Sequence, residues 1–367
     1  MSEKIEETML TYVERSVDVI RKNSACSLEL TKKLVDEYCL NDYKTIWIVA
    51  SGSSYNGSMC ARYFIRKYLK TEVKVITPFT FVHAENNITA DDFVFVVSQS
   101  GYSTNSIDAL NTLKDRGRKA IAITANMESD MLNYADVLID YGIGYEKVHY
   151  VTLGVTGFAL FLMLFTLEAA LKKRVMDQTS YDQLKAEIIR SADVHEIVQK
   201  QTAEFYQENF LKLTSMSKAL ICGLGSGMGI ALEAALKISE TMRIPVLALE
   251  SEEYLHGITL QLDPLMSVFT VDTGLVPYRL KQIYEATKEA TTCNYIITTN
   301  PEYKDEKTAL YVDTDISQEI LPLCFLPFFQ IIAYRITDDT HRWEKHPSYD
   351  RLSKKIAGKT ENYSSYR

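Results

Sequence analysis

Twice in this chain, continuous apolar runs end in turns of glycine and hydroxyl residues, and helical stretches follow. Ile46-Trp47-Ile48-Val49-Ala50 runs into Ser51-Gly52-Ser53-Ser54, and Phe93-Val94-Phe95-Val96-Val97 runs into Ser98-Gln99-Ser100-Gly101. The pattern restarts at Ala219-Leu220-Ile221-Cys222, which leads into Gly223-Leu224-Gly225-Ser226-Gly227-Met228-Gly229. Strands without polar alternation, separated by helices, belong to parallel sheets covered on both faces. Ligands of such sheets bind at the carboxyl ends of the strands, where these turns fall. The repetition predicts a tandem duplication of one α/β unit. Strands are expected at 46–50, 72–76, 93–97, 119–124 and 137–141, and again at 219–222, 246–249, 266–271, 295–298 and 310–313.

A length of 367 residues suits two domains. Their expected bounds are 1–40 for a helical segment, 41–175 and 195–345 for the two domains, and 346–367 for a polar tail. The net charge of −8 argues against a nucleic-acid backbone or an anionic membrane as partner. The six cysteines form no CxxC pair and read as thiols of a reducing compartment. The amino terminus has no apolar signal core. The uncharged stretch 151–167 contains Thr152, Gly154, Thr156 and Gly157 and reads as a buried helix rather than a membrane span. A cytoplasmic protein is expected.

Three clusters carry chemistry. In Ser98-Gln99-Ser100-Gly101-Tyr102-Ser103, hydroxyls, an amide and the N–H groups of a strand-to-helix turn make a neutral nest for a dianion. Ser103 stands where it can cap the next helix. No Gly-Lys-Ser/Thr follows, so a nucleoside triphosphate is not expected. The corresponding turn of the second unit, Val271-Asp272-Thr273-Gly274, places a carboxylate where an anion would sit, so one anion loop per chain is expected. Glu233, Lys237 and Glu240 share a face of a predicted helix and form either a surface ion-pair ladder or an acid/base set. His256, in a polar loop ending at Gly257, can exchange protons near neutral pH. The Gly223–Gly229 turn superficially suits a dinucleotide, with Glu250 as the nearest acidic partner; a tight turn permitting close backbone approach is more economical.

Over residues 25–356 the order of these motifs resembles the double sugar isomerase (SIS) domain family, in type the isomerase half of glucosamine-6-phosphate synthase and the fructosamine- and glucoselysine-6-phosphate deglycases. The resemblance implies an α/β fold of two tandem three-layer αβα domains with parallel, flavodoxin-like sheets. Ser53 and Ser54 correspond to the family's Gly-Thr-Ser turn at the sugar. Ser98, Gln99, Ser100 and Ser103 correspond to its Ser-Gln-Ser-Gly-x-Thr phosphate loop. Lys237 and Glu240 correspond to the pair attending sugar C1 and C2, and His256 to a ring-opening histidine supplied by the neighbouring subunit of a homodimer with a shared active site. Leu352-Ser353-Lys354-Lys355-Ile356 resembles the segment that closes over the substrate, which implies Lys354 as a catalytic lysine and Ser353 as a substrate contact. The family's Val-Ala-Ser-Thr-Lys segment has only a loose counterpart at 146–152.

What the resemblance implies is an enzyme that takes a phosphorylated sugar and needs no metal or organic cofactor. With no glutaminase domain ahead of the first repeat, the expected reaction is that of a deglycase. It would split a glycated amino acid's hexose 6-phosphate into hexose 6-phosphate and free amine, through C1/C2 proton transfer and imine hydrolysis. The alternatives are an aldose–ketose isomerase or deaminase of a hexose or amino-sugar phosphate, and a non-catalytic sugar-phosphate sensor.

Overall fold

The computed structural model describes residues 7–148 and 150–364; His149, within the loosely matched 146–152 segment, lies outside them. The chain forms two compact units. One gathers residues 19–186 and 344–367, and the other residues 1–18 and 187–343. Residues 7–18 therefore group with the second sheet, and the carboxy-terminal tail up to residue 364 groups with the first.

In the first of these units, α1 (Met9–Ala25, shared between units) and α2 (Ser27–Tyr38) precede β1 (Thr45–Val49), α3 (Gly52–Leu69), β2 (Glu72–Ile76), α4 (Pro78–His83) and β3 (Asp92–Val97). Then follow α5 (Thr104–Asp115), β4 (Ile121–Thr124), β5 (Val137–Asp140) and α6 (Leu153–Lys172). The strands pair in parallel in the order β2-β1-β3-β4-β5. All six residues of β3 are buried, as its unbroken apolar run demands, while the edge strand β2 leaves Glu72 exposed.

One face of the sheet packs Trp47, Val49, Val94 and Val96 against Phe81, Ile107 and Leu110. The helix α6 has no polar side and is buried against α2 and α3. It is long and apolar enough to cross a membrane, but a helix apolar all round is also what a core requires. Gly57 makes the α3–α6 approach possible: a Cβ there would stand 3.0 Å from the Val155 carbonyl oxygen. This fixes the helix whose first turn holds Ser53 and Ser54.

The other unit repeats the plan. After α7 (Gln178–Glu208, shared between units) and α8 (Phe210–Thr214) come β6 (Ala219–Gly223), α9 (Ser226–Met242), β7 (Val246–Glu250) and β8 (Ser267–Asp272). The unit continues with α10 (Pro277–Thr287), β9 (Asn294–Thr298), β10 (Ala309–Tyr311) and α11 (Pro322–Asp339). Its parallel order, β10-β9-β8-β6-β7, is the first sheet's order read from the other edge. The duplication inferred from the repeated turns is thus a duplication of topology: two tandem α/β regions of the flavodoxin-like kind, each with a five-stranded parallel sheet flanked by helices. The tail, which shows no core pattern in sequence, carries a further helix, α12 (Ser348–Ile356), with no buried residue.

One buried group ties folding of the second-sheet unit to pH. His195 of α7 is completely buried, with Nδ1 2.6 Å from the Leu323 carbonyl oxygen and Nε2 3.3 Å from that of Val13. Desolvation holds its pKa below the ordinary value, against the pull of both carbonyls. The unfolded imidazole takes up its proton near the usual pKa of about 6.5, above the folded one. Stability from this group is therefore complete above that pH and is lost as pH falls through the folded pKa. The thermal midpoint should drop between pH 7.5 and 5.5, and His195→Gln should flatten that dependence. An unchanged slope in the variant, followed by circular dichroism, would remove His195 as the cause.

Candidate active site

The first sheet changes direction between β1 and β3, which pair in parallel with Val49 opposite Val96. Their carboxyl ends release the Gly52-Ser53-Ser54 turn and the Ser98–Ser103 loop side by side, at the switch point where such sheets hold ligands. Ser53 is buried in the first turn of α3 and Ser54 is partly buried.

Internal bonds shape the Ser98–Ser103 loop. The Gly101 N–H donates to the Ser98 carbonyl at 3.1 Å and to Ser98 Oγ at 3.2 Å. The Gln99 carbonyl accepts from the Ala125 N–H at 3.0 Å and Thr124 Oγ1 at 3.1 Å, which pins the loop to the end of β4. Gly101 has φ +72°, and a Cβ there would fall 1.8 Å from Ser129 Oγ, so only glycine fits. Ser103 occupies the N-cap position of α5, yet its side chain makes no capping bond. That corrects the capping expectation: its hydroxyl accepts instead from Ser98 Oγ at 3.2 Å and from the Lys359 ammonium at 2.9 Å.

Gln99 takes a direction not legible in the loop itself. Its Nε2 donates to Glu146 Oε2 at 2.7 Å. The same carboxylate accepts the N–H groups of Thr152 at 2.6 Å, Leu153 at 2.9 Å and Gly154 at 3.1 Å. Glu146 thus sits on the amino terminus of α6, where the helix dipole favours a negative charge. Burial pushes its pKa up, against the lowering effect of Gln99 and the three N–H groups.

In the unit of the second sheet, α9 enters beneath the Gly223–Gly229 turn. Lys237 has no exposed side-chain surface and stands 2.6 Å from Glu240 and 3.6 Å from Glu233, whose side chains are 33% and 1% exposed. This decides against the surface-ladder reading, because a solvated ladder would leave the lysine in water. A buried ammonium between a buried carboxylate and one a third exposed leaves Glu240 as the member that can meet a ligand. The turn after β8 is closed by its own aspartate: Asp272 accepts from the Gly274 N–H at 2.9 Å and from Thr298 Oγ1 at 2.8 Å. His256 lies exposed at the end of a short 3₁₀ turn after β7. Lys354 and Ser353 lie exposed on α12, where Ser353 Oγ donates to the Asp350 carbonyl at 3.2 Å. From the tail, Lys359, five positions beyond Lys354, brings its ammonium to the loop, and no periodicity in the sequence marks it. Among the described residues no cluster of three His, Cys, Asp or Glu side chains is arranged to hold a metal.

Known proteins resemble parts of this chain in sequence and its fold as a whole. Residues 39–167 match the SIS domain. Over that stretch the chain is similar to SIS domains, and over a longer one to glutamine–fructose-6-phosphate aminotransferases. The isomerizing enzyme of that name from Thermotoga maritima is 24% identical over 310 residues, 82% of this chain and 50% of the relative. The chain spans about half or less of the curated relatives it matches. In fold it is similar to a protein of Clostridium difficile 630 provisionally named a phosphosugar isomerase, with a TM-score of 0.88 at 24% identity over 97% of this chain and all of that one. It is also similar to the C-terminal domain of glucosamine-fructose-6-phosphate aminotransferase from Francisella tularensis, with a TM-score of 0.81 at 20% identity over 95% and 100% of the two chains.

The buried charges of α9 make a stability test. Lys237→Met leaves the carboxylate of Glu233 without its buried counter-charge and should cost about 3–5 kcal/mol. Adding Glu233→Gln to the same chain should recover part of that loss. Chemical denaturation of the single and double variants measures both, and a Lys237→Met cost below about 1 kcal/mol would mean that the pair is solvated.

Proposed function

We propose that the chain is an enzyme that isomerises a hexose phosphate or amino-sugar phosphate by moving a proton between C1 and C2. The observation that carries this reading is the buried Lys237 held against Glu240, a carboxylate still a third exposed. Binding a phosphate calls for no such group, so a mere sensor has no use for it. The relatives with isomerase names support the reaction class.

In this reading the substrate's phosphate is held by the hydroxyls and N–H groups of Ser98–Ser103, with Ser53 and Ser54 on the neighbouring turn at the sugar. Glu240 removes the proton from the carbon next to the carbonyl, giving an enediol or enolamine, and returns it to the adjacent carbon. Lys237 stays protonated and steadies the charge on Glu240 and on the developing oxyanion. His256, exposed on its loop, shuttles the ring-opening proton for a substrate held by a second copy of the chain, and Lys354 closes the site from the tail. The cytoplasm is the fitting compartment, in keeping with six free thiols.

Deglycation is the second reading. The same enolamine chemistry leads to an imine that water can split. What favours it is the segment at 146–152, which lacks the family's Val-Ala-Ser-Thr-Lys pattern and whose Glu146 accepts from the Gln99 amide at 2.7 Å. Release of free lysine from glycated lysine 6-phosphate, against its absence with plain hexose 6-phosphates turning over, separates the two.

The test of the proton transfer is deuterium uptake at C1 or C2 of fructose 6-phosphate or glucosamine 6-phosphate in D₂O. Glu240→Gln should slow uptake by about 10²–10⁴-fold with phosphosugar affinity little changed. Exchange at the wild-type rate would refute the role of Glu240. For the loop, joint replacement of Ser98, Ser100 and Ser103 by alanine should abolish measurable hexose 6-phosphate binding in calorimetry, since each lost charge-assisted bond costs about 1.5–3 kcal/mol. Retained affinity would refute the cradle.

A further inference from the structure

The Ser98–Ser103 loop is neutral: its side chains are hydroxyls, an amide and a phenol. A phosphate dianion held by neutral donors alone gains less than one that also meets a cation. Within this unit the cation comes from the far end of the chain. Lys359 forms an isolated antiparallel bridge with Ser103, and its ammonium donates to Ser100 Oγ at 2.8 Å and Ser103 Oγ at 2.9 Å. The register is held on both sides. The Thr360 N–H donates to the Tyr102 carbonyl at 3.0 Å, and Thr104 Oγ1 donates to the Ala357 carbonyl at 3.3 Å. The rings of Tyr102 and Tyr363 meet at 5.7 Å, and the Asn362 amide donates to Asp130 at 3.0 Å.

The direction of these bonds matters more than their number. A hydroxyl has one proton to give and two lone pairs to fill. Ser103 Oγ accepts from Ser98 Oγ at 3.2 Å and from Lys359, so its lone pairs are engaged and its proton is left to donate. Ser100 Oγ accepts from Lys359 and, at 3.4 Å, from the Tyr102 N–H, with the same result. The ammonium has three N–H groups and spends two on these hydroxyls.

We propose that Lys359 is a phosphate ligand: it brings a positive charge to the serine loop, turns the Ser100 and Ser103 protons toward the incoming oxyanion, and contacts that oxyanion with its third N–H. The proposal rests on the reading of Ser98–Ser103 as the phosphate cradle. Desolvation at the loop lowers the pKa of Lys359, although much of its side chain is exposed. A bound dianion offsets that desolvation by supplying the opposite charge. Lys359 is distinct from Lys354, which lies on the exposed helix α12.

The experiment is calorimetric titration of the full chain with fructose 6-phosphate, inorganic phosphate and unphosphorylated fructose, for wild type, Lys359→Met, Lys359→Arg and Ser98→Ala. Lys359→Met should weaken fructose 6-phosphate and inorganic phosphate by about 10- to 100-fold and flatten the salt dependence of binding. Binding of fructose should not change, nor should the ligand-free thermal midpoint, and Lys359→Arg should recover most of the loss. Affinity in Lys359→Met equal to wild type overturns the proposal. Tighter binding also overturns it, because the lysine would then be a plug occupying the cradle. A loss matched by a collapsed thermal midpoint and not rescued by arginine overturns it as well, in favour of a structural role. If Ser98→Ala weakens binding while Lys359→Met does not, the lysine fails and the cradle stands. If Ser98→Ala binds as wild type, or wild type binds no phosphate, the cradle reading fails and the proposal with it.

Discussion

Parallel pairing of β1 with β3 is the constraint from which the candidate site follows. Two parallel neighbours must both end on the same edge of the sheet, and their next elements leave in opposite directions around it. The Val49–Val96 register therefore delivers Gly52-Ser53-Ser54 and Ser98–Ser103 to adjacent places. Helix α3 can start there only because it is pressed onto α6 at Gly57. The loop after β3 can close there only because Gly101 adopts a backbone that a side chain would block.

The two units apply the same topology to opposite electrostatic ends. In one, the turn after the central strand β3 is neutral in its own side chains, and its hydroxyls engage one another and Lys359. In the other, the turn after β8 is filled by Asp272, which spends its oxygens on Gly274 and Thr298. A carboxylate satisfied in this way needs no ligand and repels an anionic one. The second unit places its charge on α9 instead, where Lys237 is buried between two carboxylates. Burying an ammonium is costly unless it is paired, and here the pairing leaves Glu240 as the one exposed member. Under the proposed function, duplication has produced one unit that holds a phosphate and one that moves a proton.

Glu146 and Lys359 show how the same first unit handles charge at its periphery. Each brings a charged group to an end of the backbone that attracts it or to hydroxyls that accept it: Glu146 to the first N–H groups of α6, Lys359 to the serines of the loop. Gln99 links the first of these to the loop, so the amide of the Ser-Gln-Ser run is engaged by protein rather than left pointing outward.

Local chemistry was enough to place most of the fold. The unbroken runs at 46–50 and 93–97 could only be strands buried on both faces, and the glycine–serine turns that end them could only lie at a carboxyl edge. The spacing of Glu233, Lys237 and Glu240 put three charges on one helical face, but periodicity could not say whether that face met water or core; packing of α9 decided it. The same holds for Ser103, whose position is that of a cap while its hydroxyl is spent elsewhere. Lys359 and Glu146 were out of reach altogether, since their partners lie hundreds of residues away or across a turn without a pattern. The sequence by itself determined the strands, the duplication and the residue types at the sheet edges, because those depend on neighbours within a few positions. Only the tertiary structure decided which charges are buried and which hydroxyls are engaged, because burial and hydrogen-bond direction depend on atoms that the chain brings together only on folding.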